Sequence, residues 1–125
     1  MNENEISYQV IGAALKVHRS VGPGLLESAY ETALAYELRK LDLYVEEQVT
    51  LPFVYEEVRL EAGYRIDIMV NKLVIVEIKS VENLMPVHHA QLLTYLRLTN
   101  IKLGLLINFN AVILKNGIHR VVNNL

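Results

Sequence analysis

Ile6, Val10, Ala13, Ala14 and Val17 recur at three- and four-residue intervals, the period of a helix with one buried face. They predict a helix from about Glu5 to Ser20, with His18 and Arg19 in its last turn, where positive charge favours the helix dipole. His18 reads as that dipole partner or a surface residue rather than a ligand. Gly22-Pro23-Gly24 breaks the chain, and proline opens a second helix well, from about Leu25 to Leu41. Leu26, Ala29, Ala33 and Leu34 give that helix an apolar side. From Tyr44 to Val58 the pattern turns β-like, and Pro52 suggests an edge strand or a bend. Glu46, Glu47, Glu56 and Glu57 read as solvated faces and a hairpin turn. Arg59 to Val70 continues as a strand in which Gly63 permits a bulge or a close approach, and Leu73 to Lys79 is a third, strongly apolar one. Pro86 to Leu98 restores the helical period, packed by Leu92, Leu93 and Leu96. Lys102 to Asn108 is a short apolar strand. A hairpin of Ala111 to Leu114 and Ile118 to Val122 is expected after it, turned at Asn116-Gly117. Helix, helix, three strands, helix, strands describes an α/β sandwich, a central mixed sheet flanked by helices.

Composition narrows the class. The 125 residues suit one domain, 1–125, and 52% hydrophobic content is too high for disorder. No apolar run reaches membrane-spanning length, and the polar, acidic start MNENEISYQV does not read as a signal peptide. There are no cysteines, which excludes disulfides and thiolate zinc sites and leaves the redox compartment open. An intracellular, cytoplasmic location is the default expectation. A net charge of −2 gives no basic field for nucleic acid over the whole chain. Acidic metal ligands would offset basic residues, and a bound cation would restore positive charge locally.

Chemistry concentrates between Tyr64 and Ser80, where Arg65, Asp67, Glu77 and Lys79 interrupt two apolar strands. Charges in buried strands are costly unless paired, hydrogen-bonded or metal-bound. Alternation puts Leu73, Ile75, Glu77 and Lys79 on one face of their strand, with Val74, Val76 and Ile78 on the other. A two-residue turn at Asn71-Lys72 would set Asp67 opposite Val76, on the wrong face. A three-residue loop, or one bulged residue, pairs Asp67 with Glu77, and Asn71 tolerates the left-handed backbone such a loop needs. The odd-length loop is therefore predicted. Two facing carboxylates repel and need a counter-ion, which either a divalent cation or Lys79 or Arg65 could supply.

Two helical stripes accompany these strands. Glu27, Tyr30, Glu31 and Leu34 line one side of the second helix. Glu27 in a first turn favours the dipole or caps free amides, and Tyr30 either packs the helix or sends its hydroxyl to the site. On the third helix His88, Gln91 and Tyr95 share a stripe, which is either a polar cleft beside the sheet or a solvent face; His89 is expected to be exposed.

Asp67 followed by Glu77-Ile78-Lys79 resembles the PD-(D/E)xK nuclease superfamily, the restriction-endonuclease-like fold. Gly24-Leu25-Leu26-Glu27-Ser28-Ala29-Tyr30 is similar to the signature of its GxxExxY family, and Gln91-Leu92-Leu93-Thr94-Tyr95 resembles the QxxxY element of the RecB and lambda-exonuclease branch. The likeness runs from about Val10 to Val122; Ile66 stands where a proline often precedes the aspartate. It implies an αβββαβ core with an extra N-terminal helix and a C-terminal hairpin. It also implies a metal-dependent nuclease hydrolysing phosphodiester bonds of DNA or RNA. Glu27, Asp67, Glu77 and the Ile78 carbonyl would be oxygen ligands for Mg²⁺ or Mn²⁺, Lys79 would orient the attacking water, and Gln91 and Tyr95 would position it or the nucleic-acid backbone. Gly24, Tyr30, Arg65 and His88 would support the site. Lys16, Arg19, Arg65, Lys79 and Arg97 are the candidate phosphate contacts, and a protein partner or homo-oligomer could serve targeting. The rival readings are a silent nucleic-acid- or protein-binding domain on this fold, and a domain whose buried charges form a structural salt-bridge network.

Overall fold

The structure, a computed structural model, describes residues 1–60 and 63–125. Helix α1 (Glu3–Val21) begins two residues earlier than the apolar period requires, because Asn2 and Glu5 form a reciprocal capping box. Its buried face is the expected one, Ile6, Val10, Ala13, Ala14 and Val17. His18 ends it with Nε2 2.8 Å from the Ala111 carbonyl, so its ring ties the helix to the far end of the chain.

Helix α2 (Glu27–Lys40) starts at Glu27, beyond Pro23. Gly22 (φ 68°) and Gly24 (φ 99°) both take the left-handed region that side chains avoid, and Leu26 is the N-cap. The face expected to be apolar is rotated. Leu26 and Ala29 are exposed, whereas Tyr30, Leu34, Ala35 and Leu38 are buried. Tyr30 decides this rotation: its ring stacks on Phe109 with centroids 4.5 Å apart.

The sheet runs β1 (Val45–Tyr55), β2 (Val58–Val70), β3 (Val74–Lys79), β4 (Leu103–Asn108) and β5 (Ile118–Val122), in that spatial order. The β3–β4 pair is parallel, joined through α3 (Pro86–Thr99), and the other pairs are antiparallel. This is the mixed α/β arrangement expected of a restriction-endonuclease-like core. Pro52 sits on edge strand β1 at the register shift between Leu51 and Phe53. Gly63 faces it, and a Cβ there would lie 2.9 Å from that of Phe53.

Two apolar clusters occupy opposite faces of the sheet. The larger joins α1 and α2 to Ile68, Val70, Val74, Val76, Ile78, Leu103, Leu105 and Ile107. The smaller joins Leu92, Tyr95 and Leu96 of α3 to Ile66, Met69, Ile75 and Leu106. Gly104 admits Leu92 at close range, since a Cβ there would stand 2.7 Å from a Leu92 methyl.

The C-terminal hairpin differs from expectation. Ala111 to Leu114 is not a strand, and Asn116-Gly117 ends a 3₁₀ turn (Leu114–Gly117) that feeds β5 directly onto β4. A Cβ on Gly117 would meet the Asn108 carbonyl at 2.5 Å, so this glycine serves a close backbone approach rather than a hairpin turn.

Candidate active site

Asn71 (φ 51°) and Lys72 (φ 54°) are both left-handed, and Leu73 N–H closes the turn on the Val70 carbonyl at 3.0 Å. The ladder then pairs Val70 with Val74, Met69 with Ile75 and Ile68 with Val76, leaving three residues in the loop. The predicted odd-length connection is present, and this register carries Asp67 to the level of Glu77. Leu73 belongs to the turn and packs with the α1–α2 cluster, not beside Ile75 as alternation suggested.

Beyond Ile68 and Val76 the strands stop pairing, and carboxylates replace the ladder. Ile78 N–H donates to Asp67 Oδ2 at 2.8 Å, and Asp67 N–H donates to Glu77 Oε1 at 3.2 Å. The alternation of β2 breaks at the same residue: Ile68 and Val70 lie in the α1–α2 cluster, but Ile66 lies in the α3 cluster. On the facing strand Gln48 has φ 53°, so both strands twist there and Asp67 turns toward β3. A strand residue points its N–H and C=O to the same side, so the Ile78 carbonyl also faces Asp67 past the last paired residues.

Glu77 is 3% exposed, and its carboxyl is pushed up to about 9, first by burial and then by the adjacent Asp67 charge, with Lys79 acting weakly the other way. Glu27 opens α2 at the end of β3, where Ser80 N–H donates to its Oε2 at 3.4 Å and Ser80 Oγ donates to the Leu25 carbonyl at 2.7 Å. Tyr30 builds this approach from below: its hydroxyl donates to the Gly22 carbonyl at 2.6 Å and accepts from Leu25 N–H at 3.1 Å. Of the two roles weighed for Tyr30, packing is the observed one, and its hydroxyl fixes the loop carrying Gly24 rather than entering the site.

On α3, Tyr95 is buried against Tyr64 with centroids 5.7 Å apart. Burial raises its phenol, Glu77 raises it further, and a hydrogen bond with the Arg65 backbone works in the opposite direction. Tyr95 therefore stands within electrostatic reach of the carboxylates. Gln91 is half-buried one turn earlier. His88 caps the helix, its Nδ1 accepting from Met85 N–H at 3.0 Å. His89 is half-buried, not exposed, with its ring edge-on to His119.

A family model described as the PD-(D/E)XK nuclease superfamily matches residues 4–121. The chain belongs to the PD-(D/E)XK nuclease superfamily. No curated protein and no solved structure matches it. For this PD-(D/E)XK chain nucleic acid is the substrate class that membership implies.

Sequence reasoning missed a second group beside Asp67. Gln48 Nε2 donates to Glu31 Oε1 at 2.5 Å and reaches Asp67 Oδ1 at 3.5 Å. The Glu31 carboxyl is raised to about 7 by burial and by a hydrogen bond with Glu47, while Gln48 lowers it and Asp67 raises it slightly. Glu47 also pairs with Arg39 at 2.9 Å, and Glu46 with Lys72 at 3.6 Å, so neither is simply a solvated face. Glu31 was visible as the residue one turn after Glu27; nothing in the sequence marks Gln48.

Among the described residues no ion pair joins Arg65 or Lys79 to Asp67 or Glu77. Lys16 lies away from the carboxylates, between α1 and α2, where it pairs with Glu37 at 2.9 Å. Arg19 and Arg97 are exposed. Among the described residues no three His, Cys, Asp or Glu side chains gather closely enough to hold a metal ion. The Asp67–Glu77 pair with the Ile78 carbonyl still fits a hard divalent cation, because such an ion takes oxygen donors and its charge opposes both the burial and the Asp67 charge that push the Glu77 carboxyl up. No helix is long and apolar enough to cross a membrane.

Proposed function

We propose that this chain is a Mg²⁺- or Mn²⁺-dependent phosphodiesterase of nucleic acid, in the GxxExxY branch of its superfamily. The reading is carried by one observation: the Asp67 carboxylate enters the opened β2–β3 ladder, bonds to Ile78 N–H and lies against the buried Glu77. Asp67, Glu77 and the Ile78 carbonyl would hold the ion; Glu27, which does not cluster with them in this structure, would have to swing in from the start of α2. When bound, the ion supplies positive charge that polarises the scissile phosphate and acidifies water. Lys79, two residues along the same face from Glu77, orients the attacking water and stabilises charge growing on the phosphate. Tyr95 and Gln91 hold the water or the backbone by hydrogen bonds. Gly24 and Tyr30 keep Glu27 at the end of β3, His88 fixes the start of α3, and the exposed Arg65 would meet a phosphate. The low net charge favours delivery by a protein partner or a second copy of the chain, in a cytoplasmic setting.

The test is cleavage of labelled single- and double-stranded DNA and RNA with Mn²⁺, comparing wild type with Lys79→Ala. Loss of about 10²–10³ in rate on removing one group that stabilises transition-state charge is expected. Equal products from both proteins, or none from wild type at millimolar metal, would sink the reading in favour of a silent binding domain.

A further inference from the structure

We propose that a pocket at the C-terminal ends of β3 and β4 takes a base of the substrate strand and selects bases with an exocyclic amino group. The proposal rests on the nuclease reading and extends it to the nucleotides beside the scissile bond. The cavity measures about 310 Å³ and is lined by Glu82, Asn83, His89, Asn108, Asn116 and His119 among others.

Register places it next to the chemistry. Glu77 pairs with Leu106, which pairs with His119, and Lys79 pairs with Asn108. Alternation keeps Glu77, Lys79, Asn108 and His119 on the α3 face of the sheet, so His119 is two strands from Glu77, about 10 Å at the usual strand spacing. That is about three stacked nucleotides of one strand. Crevices at the carboxyl ends of parallel strands are where such sheets bind ligands.

The walls are built. Asn108 clasps Val81 like a second backbone, accepting from its N–H at 3.1 Å and donating to its carbonyl at 2.9 Å, and Asn110 adds a donor to that carbonyl at 3.3 Å. Gly117 lets the opposite wall close on Asn108. The rings of His89 and His119 meet edge to face, centroids 5.1 Å apart at 79°, and both residues are half-buried. Imidazole faces are stacking platforms for unpaired bases. Among the described residues the side chains of Glu82, Asn83 and Asn116 have no hydrogen bond or ion pair, so their donors and acceptors are free for a base edge. The Glu82 carboxylate accepts from the amino group of cytosine or adenine but has nothing to donate to the carbonyl that thymine offers there, so it carries the discrimination while the amides serve either base. A metal ion suits this pocket less well, because no three of its ligating side chains converge.

The experiment follows the His89 and His119 imidazole resonances by NMR while the full chain is titrated with dAMP, dCMP or dTMP. The phosphate is common to all three, so differences report the base. Saturable shifts with dAMP and dCMP at least about fivefold tighter than with dTMP are expected, the lower end of what one good base contact gives. His119→Ala should abolish the binding, and Glu82→Ala, at an exposed position with no hydrogen bond or ion pair among the described residues, should abolish the discrimination. No shift at millimolar nucleotide, equal affinity for the three, or selectivity untouched by Glu82→Ala would overturn the proposal. Cleavage of oligo(dA), oligo(dC) and oligo(dT) is read separately. Selective nucleotide binding without cleavage would remove the nuclease reading alone, and cleavage without nucleotide-dependent shifts would remove the pocket alone.

Discussion

At Glu77 burial and charge are in direct conflict. Burial and the Asp67 charge push its carboxyl up to about 9 from an ordinary value of 4.5, so between those values the folded state holds a proton that the unfolded state has lost. Stability of the metal-free protein therefore falls as pH rises through that window, by on the order of 3 kcal/mol at pH 7. Urea denaturation from pH 5 to 8.5 should show the decline, and Glu77→Gln should flatten it and stabilise the metal-free protein at pH 8. Tyr30 offers a second residue-scale test. Tyr30→Phe removes a buried hydroxyl that serves both Gly22 and Leu25. A loss of about 1–2 kcal/mol is expected in urea, together with weaker Mn²⁺ binding as Glu27 loses its support.

Among the elements, the β2–β3 hairpin was legible because two charges in apolar strands admit only a register that lets them meet. The turn of β2 at Asp67 was not legible. Alternation assumes an even pleat, and the positive φ of Gln48 on the neighbouring strand interrupts it. The buried face of α2 was misjudged for a similar reason: the Tyr30–Phe109 stack joins residues far apart in sequence, and a local period cannot register it. Asn116-Gly117 gave a strong turn signal, yet the glycine is required by the Asn108 carbonyl rather than by a hairpin. Gly117→Ala should accordingly cost about 2 kcal/mol or more in urea denaturation, because its Cβ would press on backbone rather than on a movable side chain.

For the whole molecule, metal should couple the site to folding. An ion that binds only the folded state raises the melting temperature, by an amount that grows with the ratio of its concentration to its dissociation constant. Millimolar Mn²⁺ should raise it by several degrees in wild type, and Glu77→Ala should lose that rise. A flat response in wild type would oppose a preformed metal site. The order of elements as far as β4 and the meeting of Asp67 with Glu77 could be read from the chain alone. The Glu31–Gln48 contact could not, since it forms only when α2 is laid across β1 and β2.

The two apolar clusters divide the labour of the protein. Glu77, Lys79 and Tyr95 stand on the α3 side, while the larger cluster beneath α1 and α2 holds the opposite face. The sheet is thus a bulkhead between a compartment that endures, beneath α1, and one that works, which α2 reaches from behind by bringing Glu27 to the end of β3. Volume-conserving repacking of the α1 side, around Val10 and Val17, can therefore change the life of the fold without stiffening the chemistry in front, an escape from the usual exchange of activity for stability.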